Sequence, residues 1–334
     1  MKLIQNKYVQ LTFSVLMATS LGLMFAPLAV AQSQTANYPN KPIKLIAPVA
    51  AGGGLDNLVR KVADRLSKSL GQSIVVENIG GGGGTIASQQ VAKAAPDGYT
   101  LLASYTATHG TNPAVRKLPY DAIKDFTAIG MIGATPNVLV INPSVPAKNL
   151  KEFVEYAKKN PATLSYGSAG PGSLTHLGVE QFKLAADFFM VHIPYRGIAP
   201  AFTDLLAGQT QAMLPSLFSA TPYIKSNRVR ALAVTGLKRS PADPSIPTFN
   251  ELGYKGFEGQ QWYGITGPAN MPEPIVRKLN AELNKILASP EFAEQMASEA
   301  MTLMPMSPEQ FNTYVKEDIA RWTKVAKDRK IEIE

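Results

Sequence analysis

Apolar and polar positions along the chain fall into short strand-like runs followed by helical stripes. Ile43, Leu45, Ile46 and Val49 make one apolar run of strand length. Gly52, Gly53 and Gly54 follow, and then Leu55, Leu58, Val59, Val62, Leu66 and Leu70 recur at helical spacing. A strand, a turn on residues without side chains and a helix are therefore predicted. The pattern repeats with a strand over 73–77, five glycines from Gly80 to Gly84, a small-residue helix over 85–95, a turn at Pro96-Asp97-Gly98 and a strand over 99–103.

Further along, apolar runs predict strands over 126–133 and 138–142, a helix over 149–159 and a short strand over 164–166. A second glycine-rich turn, 167–173, precedes a helix over 174–186 that Gly172 or Ser173 would cap. A strand over 189–193 leads through Pro194-Tyr195-Arg196-Gly197 into a helix over 199–207, which Gly208 stops. Strands over 211–214 and 229–235, an irregular Pro-rich stretch 238–248 and a strand over 262–267 precede three terminal helices, 273–288, 290–300 and 308–330. This is the rhythm of a parallel α/β sheet, and its recurrence implies two lobes. They are either sequential halves or one lobe completed by returning C-terminal helices, with two crossover strands as a hinge.

Each glycine turn before a helix leaves free N–H groups at the positive end of the helix dipole, where an anion is favoured. The alternative at each turn is a tight strand-to-helix connection without a ligand. Neither glycine run fits G-x-G-x-x-G in register, and no G-K-[ST] occurs, so a nucleotide cofactor is not indicated. Asp56 would cap its helix or orient a water or ligand. Ser168 and Ser173 could donate to a carboxylate or serve as caps. His176 reaches the first turn of its helix as a contact or as packing. Arg196 is a charge partner or a solvated arginine, and Trp262 is a cleft wall or core filling.

Composition narrows the function. A chain of 334 residues accommodates two domains. Its net charge is +8, of which Lys2 and Lys7 lie in the first 31 residues, and no cluster of five or six basic residues suggests nucleic acid. Small anionic ligands suit such a protein better. With no Cys, disulfides, thiolate metal sites and cysteine nucleophiles are excluded. No metal-ligand spacing occurs among His109, His176 and His192. Lys2 and Lys7 precede an apolar run from Leu11 to Val30 ending in Ala29-Val30-Ala31, which reads as a signal peptide cleaved after Ala31 and an exported mature chain; an uncleaved membrane anchor is the alternative, against which Pro27 and the small residues at the end of the run speak. Ser168, His176 and Asp204 contain the letters of a hydrolase triad, but G-x-S-x-G is absent. A secreted serine hydrolase using Ser168 and His176 is the alternative reading.

A series of stretches in order resembles the Bug (Bordetella uptake gene) family, the extracytoplasmic receptors of tripartite tricarboxylate transporters. They are KLIAPVAAGGGLD at 44–56, VVEN at 75–78, AAPDGYTLL at 94–102, LPYD at 118–121, YGSAGPGSLTHL at 166–177, PYRG at 194–197, PAFTDLLAGQ at 200–209, RALAVT at 230–235, PTFNELG at 247–253 and SPEQF at 307–311, with Trp262 and Arg321-Trp322. The chain departs from that family at Ala51, where proline is usual, at Leu55, and at Ile79 with the five glycines. The resemblance implies a two-lobed, α/β periplasmic-binding-protein fold of Venus-flytrap, type II-like form, not an enzyme. Lobe 1 would hold 36–135 and 260–334, and lobe 2 would hold 136–259. A small organic acid (a dicarboxylate, tricarboxylate or aromatic carboxylate) would bind between the lobes and pass to membrane permease subunits from the periplasm, with no cofactor or metal. The ligand-binding set implied is Ala51, Gly52, Gly53, Gly54, Asp56, Gly82, Gly83, Tyr105, Thr106, Ser168, Ala169, Gly170, Ser173, His176, Tyr195, Arg196, Gly197, Ala199, Asp204 and Trp262.

Overall fold

A computed structural model describes residues 37–161 and 163–329. The expected signal peptide and its expected cleavage point at Ala31 lie outside the described residues. The chain divides after Asn40, and every described strand and helix lies in the body from Lys41 onward.

The body opens with β1 (Ile43–Ala47), α1 (Gly54–Leu70), β2 (Ile74–Asn78), α2 (Thr85–Ala92) and β3 (Thr100–Tyr105). A π-type turn over Ala107–Thr111 runs into the short α3 (Asn112–Val115), and the long β4 (Phe126–Pro136) follows. Next come β5 (Val138–Ile141), α4 (Leu150–Lys159), β6 (Ser165–Ser168), α5 (Leu174–Ala186), β7 (Val191–Pro194) and α6 (Ile198–Leu206). Then follow β8 (Ala212–Met213), α7 (Leu217–Lys225) and β9 (Arg230–Val234). The chain finishes with β10 (Gln260–Pro268), α8 (Glu273–Leu287), α9 (Pro290–Ser298), β11 (Thr302–Leu303) and α10 (Pro308–Arg329).

Two sheets result. The first has the order β11-β4-β10-β3-β1-β2, the second β7-β6-β8-β5-β9. Both are mixed rather than parallel. β1 pairs parallel with β2 and β3, as the strand–helix rhythm demands, because a right-handed helical crossover returns the chain in the same direction. β10 arrives from far along the chain and inserts between β3 and β4, antiparallel to both. In the second sheet β5 is antiparallel to β8 and β9. The chain passes from the first sheet to the second at the single residue Asn137, between β4 and β5, and returns between β9 and β10.

Each sheet has its own core. In the second, Phe182 of α5 sits at the centre of an aromatic cluster, with ring centroids 5.2 Å from Phe188, Phe249 and Tyr254. In the first, Trp262 packs edge-on against Phe311 and Tyr314 of α10. α7 was not expected: Pro215 precedes it and Pro222 lies within it, and a proline inside a helix normally argues against one. The Ser216 cap, whose side chain accepts from the Ser219 amide, starts this helix despite Pro222.

Phe182→Ala is expected to destabilise the protein by about 3–5 kcal/mol, because it removes the ring at the centre of that cluster. Urea unfolding of the variant against the parent measures this, as a lower midpoint at an unchanged slope.

Candidate functional site

The first-lobe turn is built around Asp56. The carboxylate accepts from the Gly52 amide at 2.8 Å, from Asn78 Nδ2 at 2.9 Å and from Arg60 Nε at 3.0 Å. Burial alone would raise this carboxyl, but the hydrogen bonds from Arg60, Gly52 and Asn78, with the Arg60 charge, outweigh it and hold Asp56 below the usual aspartate range. Asp56 therefore shapes the turn rather than facing a ligand. Gly52, at φ 84°, lets the chain swing from β1 into α1, and Gly53 is the N-cap without a side chain.

The five-glycine run is a held turn, not a linker. Gly81, Gly82, Gly83 and Gly84 all have positive φ, which side-chain-bearing residues rarely adopt. The turn's carbonyls are gripped from outside: Arg116 Nη2 donates to Gly82 O at 2.5 Å and to Thr85 Oγ1 at 2.9 Å, and Asn112 Nδ2 donates to Gly83 O at 2.9 Å. Arg116 has no acid within ion-pair distance among the described residues, and burial lowers its pKa from the usual arginine value.

In the second lobe the turn after β6 is equally self-supporting. Ser173 caps α5, donates to Gly170 O at 2.7 Å and shares a 2.8 Å hydrogen bond with Thr175 Oγ1, which accepts from the Ala169 amide at 2.8 Å. The fully buried Ser168 accepts from the Gly170 amide at 3.1 Å and meets His192 Nε2 at 2.6 Å. His192 is sandwiched between Tyr166 and His176, its ring centroid 4.9 Å from the first and 4.1 Å from the second. Burial, then the neighbouring His176, push His192 down to about 4, and burial lowers His176 as well. A neutral imidazole can accept the Ser168 proton, which leaves Ser168 Oγ free to accept from Gly170.

The two lobes meet main chain to main chain. The Ala50 amide donates to Arg196 O at 3.1 Å. A Cβ on Gly53 would stand 3.0 Å from Ile198 Cγ2, and one on Gly54 would collide with Ser219 Oγ. On the other side of the seam, a Cβ on Gly83 would stand 2.9 Å from Pro171 O. Between these contacts lies a cavity of about 40 Å³. Val49, Gly53, Gly54, Leu55 and Tyr105 line it from the first lobe; Ala169, Thr175, Ile198, Ser216 and Ser219 line it from the second, and Gln261 and Tyr263 from β10. None of these residues is charged. The N-termini of α1, α5, α6 and α7 all end here, so four helix dipoles present their positive ends to one small space. An open groove of about 630 Å³ shares Gly53, Gly54, Ile198 and Ser219 with the cavity and has Arg60, Lys61 and Lys225 along its wall.

Of the residues singled out in the sequence, Gly53, Gly54, Tyr105 and Ala169 line the cavity. Gly52, Gly83, Gly170, Gly197 and Ala199 form the seam around it, with Gly82 in the turn behind and Ala51 on its exposed edge. Arg196 has an exposed side chain and contributes its carbonyl. Tyr195 donates to Asp204 Oδ2 at 2.5 Å, which occupies both groups. Three expectations are corrected. Trp262 lies in the core of the first lobe, its Nε1 donating to Asp318 Oδ2 at 2.8 Å, because strand alternation turns it away from the seam. Thr106 is buried and takes the Trp262 amide at 2.8 Å. His176 belongs to the imidazole stack, where its Nδ1 accepts from the Gly172 amide, and it is His192 rather than His176 that meets Ser168. Ser216, Ser219, Gln261 and Tyr263 were missed. The signal for the last two was the alternation around Trp262: if the indole faces the core, both neighbours face the other way.

Residues 58–331 match the family described as the tripartite tricarboxylate transporter family receptor. Protein BugT of Bordetella pertussis is 33% identical over 312 residues, covering 92% of this chain and 95% of BugT. Among solved structures, the periplasmic binding protein BugD is 38% identical with a TM-score of 0.86, covering 89% of this chain and 100% of BugD. R. palustris Rpa4515, solved with adipate, is 34% identical with a TM-score of 0.86, covering 89% of this chain and 99% of that one. Nothing in these similarities supports a hydrolase.

The imidazole stack carries a pH signature. His192 titrates near 6.5 when unfolded and about 4 when folded, so the unfolded chain takes up the proton first as pH falls. The stability that depends on a neutral His192 is full above pH 6.5, is lost as pH falls toward 4 and does not change below that. Urea titrations across this window are expected to give a shallower dependence on pH for His192→Gln than for the parent.

Proposed function

The chain belongs to the tripartite tricarboxylate transporter receptor family, and we propose that it captures a small organic carboxylate between its lobes and passes it to the membrane subunits of such a transporter. It is a two-lobed periplasmic solute-binding receptor and not an enzyme. The observation that carries the ligand class is the convergence of four helix N-termini on an uncharged cavity across the seam. Burying a carboxylate is costly unless every oxygen finds a donor, and main-chain N–H groups at helix starts provide donors without a counter-charge. Rpa4515, solved with adipate, makes a dicarboxylate the first class to test, with tricarboxylates and aromatic acids beside it. The acid would sit on amides of the turns at 52–54, 80–84, 168–173 and 195–199.

Lobe 1 comprises 36–135 with 260–334, and lobe 2 comprises 136–259. Asn137 and the return between β9 and β10 are the hinge. The closed cavity of about 40 Å³ is far below the ~300 Å³ usual for a ligand pocket, so an acid of several carbons enters with the lobes further apart and reaches into the adjoining groove. Contacts on both lobes then favour closure, because only the closed form makes both sets. The mature receptor begins at Gln32 after removal of the signal peptide and works in the periplasm.

Two measurements test this reading. The chain from Gln32, unfolded and refolded to strip any bound acid, is expected to melt higher with one class in a panel of mono-, di- and tricarboxylates and aromatic acids. A ligand at 100 times its dissociation constant adds about 2.7 kcal/mol. No shift with any acid would overturn the carboxylate assignment. Gly54→Ala tests closure: the backbone there tolerates a side chain, but the new Cβ meets Ser219 Oγ and comes within 3.3 Å of Phe218 Cδ1. Affinity for the same acid is expected to fall about tenfold or more, with a larger radius of gyration by solution scattering in saturating ligand.

A further inference from the structure

Gln261 lies on β10, next to the return crossover, and is only 6% exposed. It shares a strand face with Tyr263, because Trp262 between them turns into the core of the first lobe. Both residues line the seam cavity. Of the other polar side chains there, Tyr263, Ser216, Ser219 and Thr175 are hydrogen-bonded inside the protein, which leaves the Tyr105 hydroxyl as the remaining polar group beside Gln261. Tyr263 donates to Ser216 Oγ at 3.2 Å, Ser216 and Ser219 share a 2.7 Å hydrogen bond, and Thr175 is held by Ala169 and Ser173. Gln261 Nε2, by contrast, is buried without a hydrogen-bond partner. A buried amide donor without an acceptor is costly and rare. Here it stands in a cavity toward which four helix N-termini point and in which no side chain is charged.

We propose that Gln261 is a ligand-binding residue whose side-chain amide donates to a carboxylate oxygen of the bound acid. The assignment rests on the receptor reading above and adds a side-chain donor from the crossover strand to the main-chain donors of the four turns. Because β10 belongs to the first sheet and its start adjoins the return crossover, an acid held there is bonded beside the pivot as well as by both lobes. The donor is neutral, so it recognises the carboxylate through direction and not through charge. A carboxylate placed at the same position would repel the ligand in a site with little water to screen it.

The experiment is isothermal titration of the refolded chain from Gln32 with adipate, succinate and citrate, comparing the parent with Gln261→Leu and Gln261→Glu. Circular dichroism and melting without ligand confirm that each variant is folded. Leucine keeps the bulk and removes the donor, and is expected to weaken the tightest-binding of these acids about tenfold or more, as loss of a hydrogen bond to a charged group does. Glutamate keeps the shape and adds a negative charge, and is expected to weaken it further than leucine. A purely packing role predicts the reverse order, with the isosteric glutamate the milder change. Folded variants that bind within twofold of the parent, or that follow the packing order, would overturn the assignment while leaving the receptor reading intact. A parent protein that binds none of the three acids would overturn the assignment for di- and tricarboxylates, and the receptor reading would then rest on the monocarboxylates and aromatic acids of the wider panel.

Discussion

The hydrogen bond from the Ala50 amide to the Arg196 carbonyl joins the main chain of one lobe directly to that of the other. Such an approach leaves no room for side chains. A Cβ on Gly80 would stand 3.0 Å from the Arg196 oxygen, and one on Gly197 would stand 3.1 Å from the Ala50 nitrogen. The glycines therefore serve two needs at once. They let strand-to-helix turns adopt backbone shapes closed to other residues, and they let the two sets of turns come near enough to share one ligand.

Asp56, Asp204 and Arg116, three charged residues near the seam, are committed to building it. Asp56 ties Gly52, Asn78 and Arg60 together, and Asp204 takes the Tyr195 hydroxyl. Arg116 is spent on a glycine carbonyl and on Thr85. This division follows from electrostatics. A fixed carboxylate facing the cavity would repel the ligand, whereas one folded back onto amides and an arginine shapes the turn and is neutralised there. In the proposed receptor reading the uncharged cavity would leave anion recognition to dipoles, which lose little by desolvation compared with an ion pair. The stack of Tyr166, His192 and His176 supports this from behind, since a neutral His192 can fix the Ser168 hydroxyl that in turn holds the Gly170 amide.

The covalent connection between the lobes is slight. Asn137 is the single residue between β4 and β5. Its amide donates to Thr235 Oγ1 at 2.8 Å, its carbonyl accepts from the Thr235 amide at 2.8 Å, and its side chain donates to Leu214 O at 2.9 Å. These bonds tie the crossing to the second sheet, while β4 and β10 tie it to the first through a long antiparallel ladder. Each lobe keeps a separate aromatic core, and a further apolar cluster joins Leu174 and Leu177 of α5 to Trp322 of α10 across the lobes, so a change in their angle would leave the aromatic cores packed while opening that contact.

Local pattern by itself determined most of the elements and the three glycine turns, because period, caps and glycine runs act within a few residues of one another. Gly53, Gly54 and Ala169 were legible at the cavity for that reason: each sits between a strand and a helix start. The order of strands was not legible, since β10 joins β3 and β4 from more than a hundred residues away and reverses the direction that local rhythm suggests. Nor was the fourth helix start, α7, whose Pro222 conceals it from propensity. Trp262 and Gln261 make the contrast sharpest. They are adjacent, and sequence offered the tryptophan for the cleft; only the packing of α10 against the first sheet shows which face of β10 is core, and so turns the indole inward and leaves the glutamine at the seam.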